Sequence, residues 1–433
     1  MSTFTINGGK KLHGSISVSS AKNSAVAILS ASLMIKGKIT LHDVPRIQEV
    51  ERFCEILKSI GVGLNWKDEH TLVLDTSEKL LMNNIDREAC ERVRSSLLLF
   101  GALANRESSY KLYKSGGCKL GARTVRPHLY ALNKIGVDVV SKNAYYEVKN
   151  GNLKSGRVVM YESGDTPTEN AIMAAVFAPG VTTITFASAN YMVQDLCWFL
   201  VAAGAKIDGI GSTTLTITGV KELKSSISYH IMPDPIEAMT FISLAITTKS
   251  KLTIANCPID FLELELEKLS VMGQKWSAKN ERLSANNHFR IIDVLIEPAK
   301  LTAVPDKLYG RPYPGLNIDN LPLFVPILTQ ARGRSLIHDW VYENRALYAL
   351  EFQKLGAKVT LLDPHRIFVE GPTPLRGNEV MCPPALRPAV ALLVAMIAAR
   401  GTSVLRNAYM IERGHEHLSE RLKAIGASIS YQE

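Results

Sequence analysis

A chain of 433 residues can fill two or three domains with full hydrophobic cores, so it needs no disulfide or metal staple. With 46% hydrophobic and 21% charged residues, the composition excludes wholesale disorder, collagen and coiled coil. Fifty Lys and Arg against 41 Asp and Glu leave a net charge of +9, which suits anionic partners without choosing among nucleic acid, an anionic membrane and acidic small molecules. The N-terminus carries no hydrophobic signal core, and the longest apolar run, Ala389 to Ala399, is too short for the ~18 residues of a membrane span. A cytoplasmic chain is expected, with that run a buried helix. Cys54, Cys90, Cys118, Cys197, Cys257 and Cys382 lie too far apart to form a CxxC pair, and most are expected as buried thiols.

In chain order, the first predicted elements are a helix over AKNSAVAILSASL, a strand over KITLHDV and the end of an amphipathic helix in ILKSIGVGL. Gly61 in that last phrase can take the left-handed cap and lead straight into a strand. The succession then recurs as RVRSSLLLFGALA, SSYKLYK and ALNKIGVDV at Gly136, and as ENAIMAAVF, TTITFAS and FLVAAGAKI at Gly204. Beyond the Pro-punctuated segment Ile231 to Pro235 come IEAMTFISLAI, KLTIANC and KLSVMGQKW at Gly273, then NLPLFVPILTQA, RSLIHDW and FQKLGAKVT at Gly356. RPAVALLVAMIAA, TSVLRNA and RLKAIGASI at Gly426 close the series. The glycines are 75, 68, 69, 83 and 70 residues apart, which reads as a sixfold repeat. The first helix of each unit is apolar nearly all round and is expected at the centre of a domain, three units to each of two domains. A repeat by itself says nothing about chemistry.

Lys22 opens the first of these helices, Arg94 the second and Arg387 the sixth. A cation at an electropositive helix start is unfavourable by up to ~1 kcal/mol. It makes sense where such ends meet an anion, since dipole, backbone N–H and side chain then act together; the alternative is solvated surface charge. The loop KSGGCKLGARTVRPH, Lys114 to His128, surrounds Cys118 with glycines and cations. That setting lowers a thiol pKa, although an ordinary exposed thiol also fits it, and no GK[ST] ending suggests ATP.

SSAKN (Ser19 to Asn23), SGGCKLGAR (Ser115 to Arg123), PYPGLNID (Pro312 to Asp319), YENR (Tyr342 to Arg345), LRPA (Leu386 to Ala389) and ERG (Glu412 to Gly414) follow one another as in the enolpyruvyl transferases. The chain resembles that family along its whole length, and the Cys loop sets it apart from the shikimate-phosphate branch. The resemblance implies an α/β fold, a two-domain inside-out α/β barrel of six repeats with buried helices and outer sheets. One domain would comprise 1–21 plus 233–433, the other 22–232.

It also implies a reaction in which an acceptor hydroxyl adds to C2 of phosphoenolpyruvate and phosphate then leaves to give an enol ether, with no metal or other cofactor. The partners implied are phosphoenolpyruvate and a nucleotide or nucleotide-sugar acceptor, with no nucleic acid and no membrane, acting on a monomer. The family acceptor is UDP-N-acetylglucosamine, in cell wall biogenesis. By the same resemblance Lys22, Asn23, Arg123, Arg345, Arg387 and Arg413 hold phosphoenolpyruvate, the guanidinium fork suiting carboxylate and phosphate. Cys118 protonates C3 and Asp319 takes the acceptor proton. Asn23, Arg94, Arg123, Val125, Arg126, Asp319 and Val341 contact the acceptor. An aspartate opening a helix, as Asp319 does, equally fits an ordinary N-cap.

Departures from the family pattern fall on the acceptor side. Thr124, Val125, Arg126 and Pro127 replace Pro-Val-Asp-Leu, while Glu162 and Asp165 stand where a Lys and a Val flank the acceptor diphosphate. Ile318 replaces a Thr, Ala385 an Asp, and Asn190 and Met192 two glutamates. These changes predict an altered acceptor, such as a nucleoside monophosphate whose phosphate meets Arg126. Ala385 is also the best argument for a further alternative, a non-catalytic paralogue that only binds phosphoenolpyruvate or a nucleotide.

Overall fold

The segments that read as apolar on every side become helices with almost no exposed face in the computed structural model, which describes residues 2–116 and 124–432. They are α1 (Lys22–Ser32), α3 (Asp165–Ala175), α4 (Tyr191–Ala202), α5 (Pro235–Thr247), α6 (Leu321–Leu328) and α7 (Leu386–Ala398), with the amphipathic α2 (Arg126–Ile135) between the first two. Every residue of α5 is buried. Its start is set locally: the Asp234 side chain accepts from the N–H groups of Ile236 (2.7 Å) and Glu237 (3.3 Å), and Pro235 occupies the position where a missing N–H costs nothing. No helix of the described residues is long and apolar enough to cross a membrane.

The described residues fall into two compact units, one drawn from residues 2–19 and 233–432, the other from 20–116 and 124–232. In the first, α5, α6 and α7 pack on one another, flanked by three four-stranded sheets. The N-terminal strand Thr3–Gly8 lies antiparallel between Gly401–Arg406 and Ile429–Gln432, so the chain begins in the sheet where it ends. Ser15–Ser17 pairs in parallel with Leu252–Pro258. In the second unit α1 packs on α4, and α3 on both α2 and α4, flanked by two four-stranded sheets and one of three strands. Strands such as Thr3–Gly8 and Leu72–Asp75 alternate buried and accessible residues, which turns one face of each sheet onto the helices.

The glycines of the recurring phrase, Gly61, Gly136, Gly204, Gly273, Gly356 and Gly426, all have φ between +83° and +105°. Gly136 shows why the position demands glycine: beyond its left-handed backbone, a Cβ there would stand 2.6 Å from the Asn152 carbonyl oxygen. One predicted helix is corrected. The stretch opened by Arg94 is a 3-10 turn, Arg94–Leu98, followed by a single α turn, Leu99–Ala102. The cause is Asn170 of α3, whose Oδ1 accepts from the Gly101 N–H (2.7 Å) and whose amide donates to the Leu97 carbonyl (3.0 Å). Those two backbone groups would bond each other in a continuous helix, and a buried side chain wedged between them interrupts it.

Cys90, Cys197, Cys257 and Cys382 are buried, and burial pushes the Cys90 and Cys382 thiols up to about 12, which leaves them inert. Cys118 and Arg123 lie outside the described residues.

Candidate active site

Within the first unit, Asp319 sits in the turn that precedes α6. The N-cap of α6 is Asn320, with no side-chain capping bond, so the cap interpretation of Asp319 does not hold. Its carboxylate instead faces two guanidinium groups, Oδ1 at 3.5 Å from Arg345 Nη1 and Oδ2 at 3.9 Å from Arg387 Nε. At such separations and an effective dielectric near 20, each pair is worth roughly 4 kcal/mol before desolvation is subtracted. The carboxylate remains part-exposed while both arginines are buried.

Arg345 is fixed on three sides. Its Nε donates to Asp339 Oδ2 (2.6 Å), its Nη2 donates to the Ile318 carbonyl (2.6 Å), and the Tyr342 ring lies 4.5 Å from its guanidinium carbon. Burial acts to lower the guanidinium pKa, and Asp339 with Asp319 outweighs it, so Arg345 is held above its ordinary value and stays charged. The preceding residue, Asn344, takes φ +58° to turn the chain into the helical turn Arg345–Leu350. Arg387, the second residue of α7, reaches Asp234 Oδ2 at 4.0 Å. Arg413 follows the turn Tyr409–Glu412, and Val341 is 41% exposed. The arrangement can accept a proton at Asp319 while presenting guanidinium N–H groups to an anion.

A second charged cluster lies at the start of α5. Glu237, fully buried, accepts from the Ser19 N–H (2.6 Å) and from both terminal nitrogens of Arg421 (2.8 and 3.0 Å), with His415 Nδ1 at 3.3 Å. Burial opposes the charge, and Arg421 and His415 overcome it, holding the carboxyl far below its usual range.

In the other unit, Lys22 is the first residue of α1 and Asn23 the second; the Asn23 amide donates to the Tyr191 hydroxyl of α4 (3.1 Å). Arg94 Nη2 donates to the Thr124 carbonyl (3.4 Å), the 3-10 turn it opens packing on α1. Val125 is the N-cap of α2 and Arg126, its first residue, is exposed.

Beneath them His128 is buried. Asn170 Oδ1 is taken by Gly101, so its amide donates to His128 Nδ1 (2.8 Å) and the ring proton sits on Nε2, facing Thr166 Oγ1 (3.3 Å). Burial, with Arg94 adding to it, pushes His128 down to about 3, so the ring is neutral. Asp165, the first residue of α3, accepts from Ser188 Oγ (2.6 Å) and Asn190 Nδ2 (3.3 Å). One turn on, Glu169 is buried, and burial together with Asp165 raises its carboxyl well above the usual range. Asp195 of α4, also fully buried, is pushed up to about 7 by desolvation against the Tyr229 hydroxyl and the Met232 N–H that it accepts from.

Of the residues singled out from sequence, the structure brings Asp319, Arg345 and Arg387 together and places Lys22 beside Asn23. Asp339, Asp234, Glu237, His128, Asn170 and Asp195 were not singled out. Asp234 had a signal, since Asp-Pro before an apolar run is a helix-start signature. The others had none, because their partners are distant in sequence or lie in turns.

The family model for EPSP synthase (3-phosphoshikimate 1-carboxyvinyltransferase) matches residues 6–422. A UDP-N-acetylglucosamine 1-carboxyvinyltransferase of Bradyrhizobium diazoefficiens is 35% identical over 429 residues, covering 98% of this chain and 97% of the relative. One from Treponema denticola is 34% identical over 434 residues and the full length of both. Among solved structures, the enolpyruvyl transferase NikO from Streptomyces tendae superposes with a TM-score of 0.86 at 24% identity, covering 100% of this chain and 99% of that one, a likeness of fold.

Proposed function

Because this chain belongs to the EPSP synthase family of enolpyruvyl transferases, we propose that it moves the enolpyruvyl group of phosphoenolpyruvate onto a hydroxyl of UDP-N-acetylglucosamine, the acceptor its relatives are named for. The observation that carries this reading is a part-exposed carboxylate, Asp319, between two buried guanidinium groups. Asp319 takes the proton of the attacking hydroxyl as its oxygen bonds to C2 of phosphoenolpyruvate, and an acid protonates C3. The ketal then loses phosphate and a C3 proton to give the enol ether.

Lys22, Asn23, Arg123, Arg345, Arg387 and Arg413 are read as the residues that hold the phosphoenolpyruvate anion, and the chain is read as two domains, 1–21 plus 233–433 and 22–232. Cys118 supplies the C3 proton. Asn23, Arg94, Arg123, Val125, Arg126 and Val341 meet the acceptor. The domains are read as three repeats each of an inside-out barrel, in a cytoplasmic monomer. The test is phosphate release by the pure chain given phosphoenolpyruvate and UDP-N-acetylglucosamine, with turnover at ordinary enzyme rates as the expected result.

A second reading keeps the chemistry and changes the acceptor to a nucleoside monophosphate. What favours it is local charge. Exposed Glu162 and half-buried Asp165 replace the Lys and Val that flank the acceptor diphosphate in the family pattern, and Ala385 leaves Arg387 with Asp234 and Asp319 as its carboxylate neighbours. Negative side chains there repel a diphosphate at short range. Turnover with UMP and none with UDP-N-acetylglucosamine would establish this reading; the reverse would end it.

A further inference from the structure

We propose that Asp339 is a positioning residue for the transfer reaction: it grips Arg345 through Nε alone and so keeps the outer edge of the guanidinium, Nη1 and Nη2, turned toward Asp319. The role rests on the function proposed above, in which Asp319 is the base.

The argument starts from how little freedom Asp339 has. It directly follows the strand Gly333–His338 and is 2% exposed. Its N–H donates to the His365 carbonyl (2.7 Å) and its own carbonyl accepts from His365 Nδ1 (3.1 Å), while the next residue, Trp340, donates from Nε1 to the Gly310 carbonyl (2.9 Å). The backbone is thus pinned on both sides and the side chain has one direction to take.

That side chain binds Arg345 in an uneconomical way. A carboxylate beside a guanidinium ordinarily closes a two-bond fork, which is the stronger arrangement. Here Oδ2 meets Nε at 2.6 Å, and Oδ1 is buried with no hydrogen-bond partner among the described residues. Leaving a buried acceptor unsatisfied is costly, so an ion pair serving stability alone would use both oxygens. What the single bond achieves is to leave the Nη edge facing Ile318 (2.6 Å to its carbonyl) and Asp319 (3.5 Å). Charge alternates from Asp339 to Arg345 to Asp319, and Asp319 is oriented through an arginine that Asp339 aims.

The experiment uses the full chain, phosphoenolpyruvate and whichever acceptor the wild type turns over, with thermal melting to establish the folded fraction. Asp339→Asn is expected to lower kcat per folded molecule about 10- to 100-fold, the scale of a small misplacement of a reacting group. KM for phosphoenolpyruvate should move by less than roughly threefold, since the substrate-binding cations remain. Asp339→Glu, which keeps the charge, should recover most of kcat. Once Arg345 is replaced by Lys, Asp339→Asn should add less than about twofold, because residues acting through one another are not additive. Asp339→Ser takes the place of the Asn variant should that one not fold. Wild-type kcat in the Asn variant, a full additional loss in the Lys background, or equal impairment in Asn and Glu variants would each overturn the role while leaving the transferase reading intact. A wild type that binds no phosphoenolpyruvate by calorimetry and releases no phosphate brings down the function, and this role with it.

Discussion

The buried ionisable groups around Asp319 and Glu237 are handled differently from those of the unit that holds Lys22. Around Asp319 and at the start of α5, buried charges are kept and paired: Arg345 with Asp339, Arg387 near Asp234 and Asp319, and Glu237 with Arg421 and His415. Glu265 of the same unit, bonded among the described residues only to Asn317 and Asn320, is raised by burial. In the unit that holds Lys22, the buried groups are pushed toward neutrality: His128 falls to about 3, Glu169 rises well above the carboxylate range and Asp195 rises to about 7. Desolvation is a leading cause in both. What differs is whether an opposite charge stands within 4 Å to offset it, fully at Glu237 and only in part at Asp339, whose carboxyl burial still raises. The first solution suits a site that must meet an anion and move a proton, since guanidinium groups held in place need no reorganisation when charge develops. The second suits a scaffold that sets a backbone, as the neutral His128 and Asn170 do around Gly101 and Leu97.

The largest effect that can break this contrast is on turnover. Asp319→Asn keeps the shape of the side chain and removes the proton acceptor, so phosphate release should fall by about 10²- to 10⁴-fold, the usual contribution of a general base. Binding of phosphoenolpyruvate, measured by calorimetry, should persist, because Arg345 and Arg387 lose a competing anion. Activity within tenfold of the wild type would mean that the paired cluster is structural and that the base lies elsewhere.

Next in size is the stability of the Glu237 cluster. Arg421→Met leaves Glu237 buried without its main partner, and stripping one partner from such a pair costs about 3–5 kcal/mol. The pH dependence gives a second handle. The Glu237 carboxyl is held far below its usual value, so its contribution is fully present above the unfolded pKa of roughly 4.3 and is lost as pH falls through the folded one. In urea titrations the variant should lie well below the wild type at pH 7 and converge with it on acidification. Parallel curves with a difference under about 1 kcal/mol, the scale of a surface pair, would remove Glu237 from the paired class.

The same contrast explains what could be read before folding. Among the central helices, α7 is legible because its unbroken apolar run admits only a buried element, and α5 because Asp234-Pro235 announces the start of a largely apolar stretch. The stretch after Arg94 carries the same apolar pattern and was misread, because the interruption is caused by Asn170, seventy-three residues from Leu97. Asp319 stood out through the phrase around it, while the N-cap alternative failed by one residue, the cap being Asn320. Asp339 left no trace in the pattern: an acid at the end of a strand looks solvated. Only the turn at Asn344, left-handed at φ +58°, brings Arg345 back to cover it.

The smallest predicted effect tests the neutral class directly. Asp195 is fully buried with a carboxyl raised from an ordinary 3.8 to about 7, so the folded chain keeps a proton that the unfolded chain releases. The sign follows: its contribution is complete below the unfolded pKa, declines as pH rises between the two values, and is gone above about 7. One differential proton corresponds to a slope of up to about 1.4 kcal/mol per pH unit. Asp195→Asn cannot titrate and keeps an acceptor for the Tyr229 hydroxyl, so it should flatten that part of the profile in urea titrations between pH 5 and 8. Should wild type and variant decline in parallel over that range, Asp195 is charged in the folded state and the unit around Lys22 belongs with its neighbour after all.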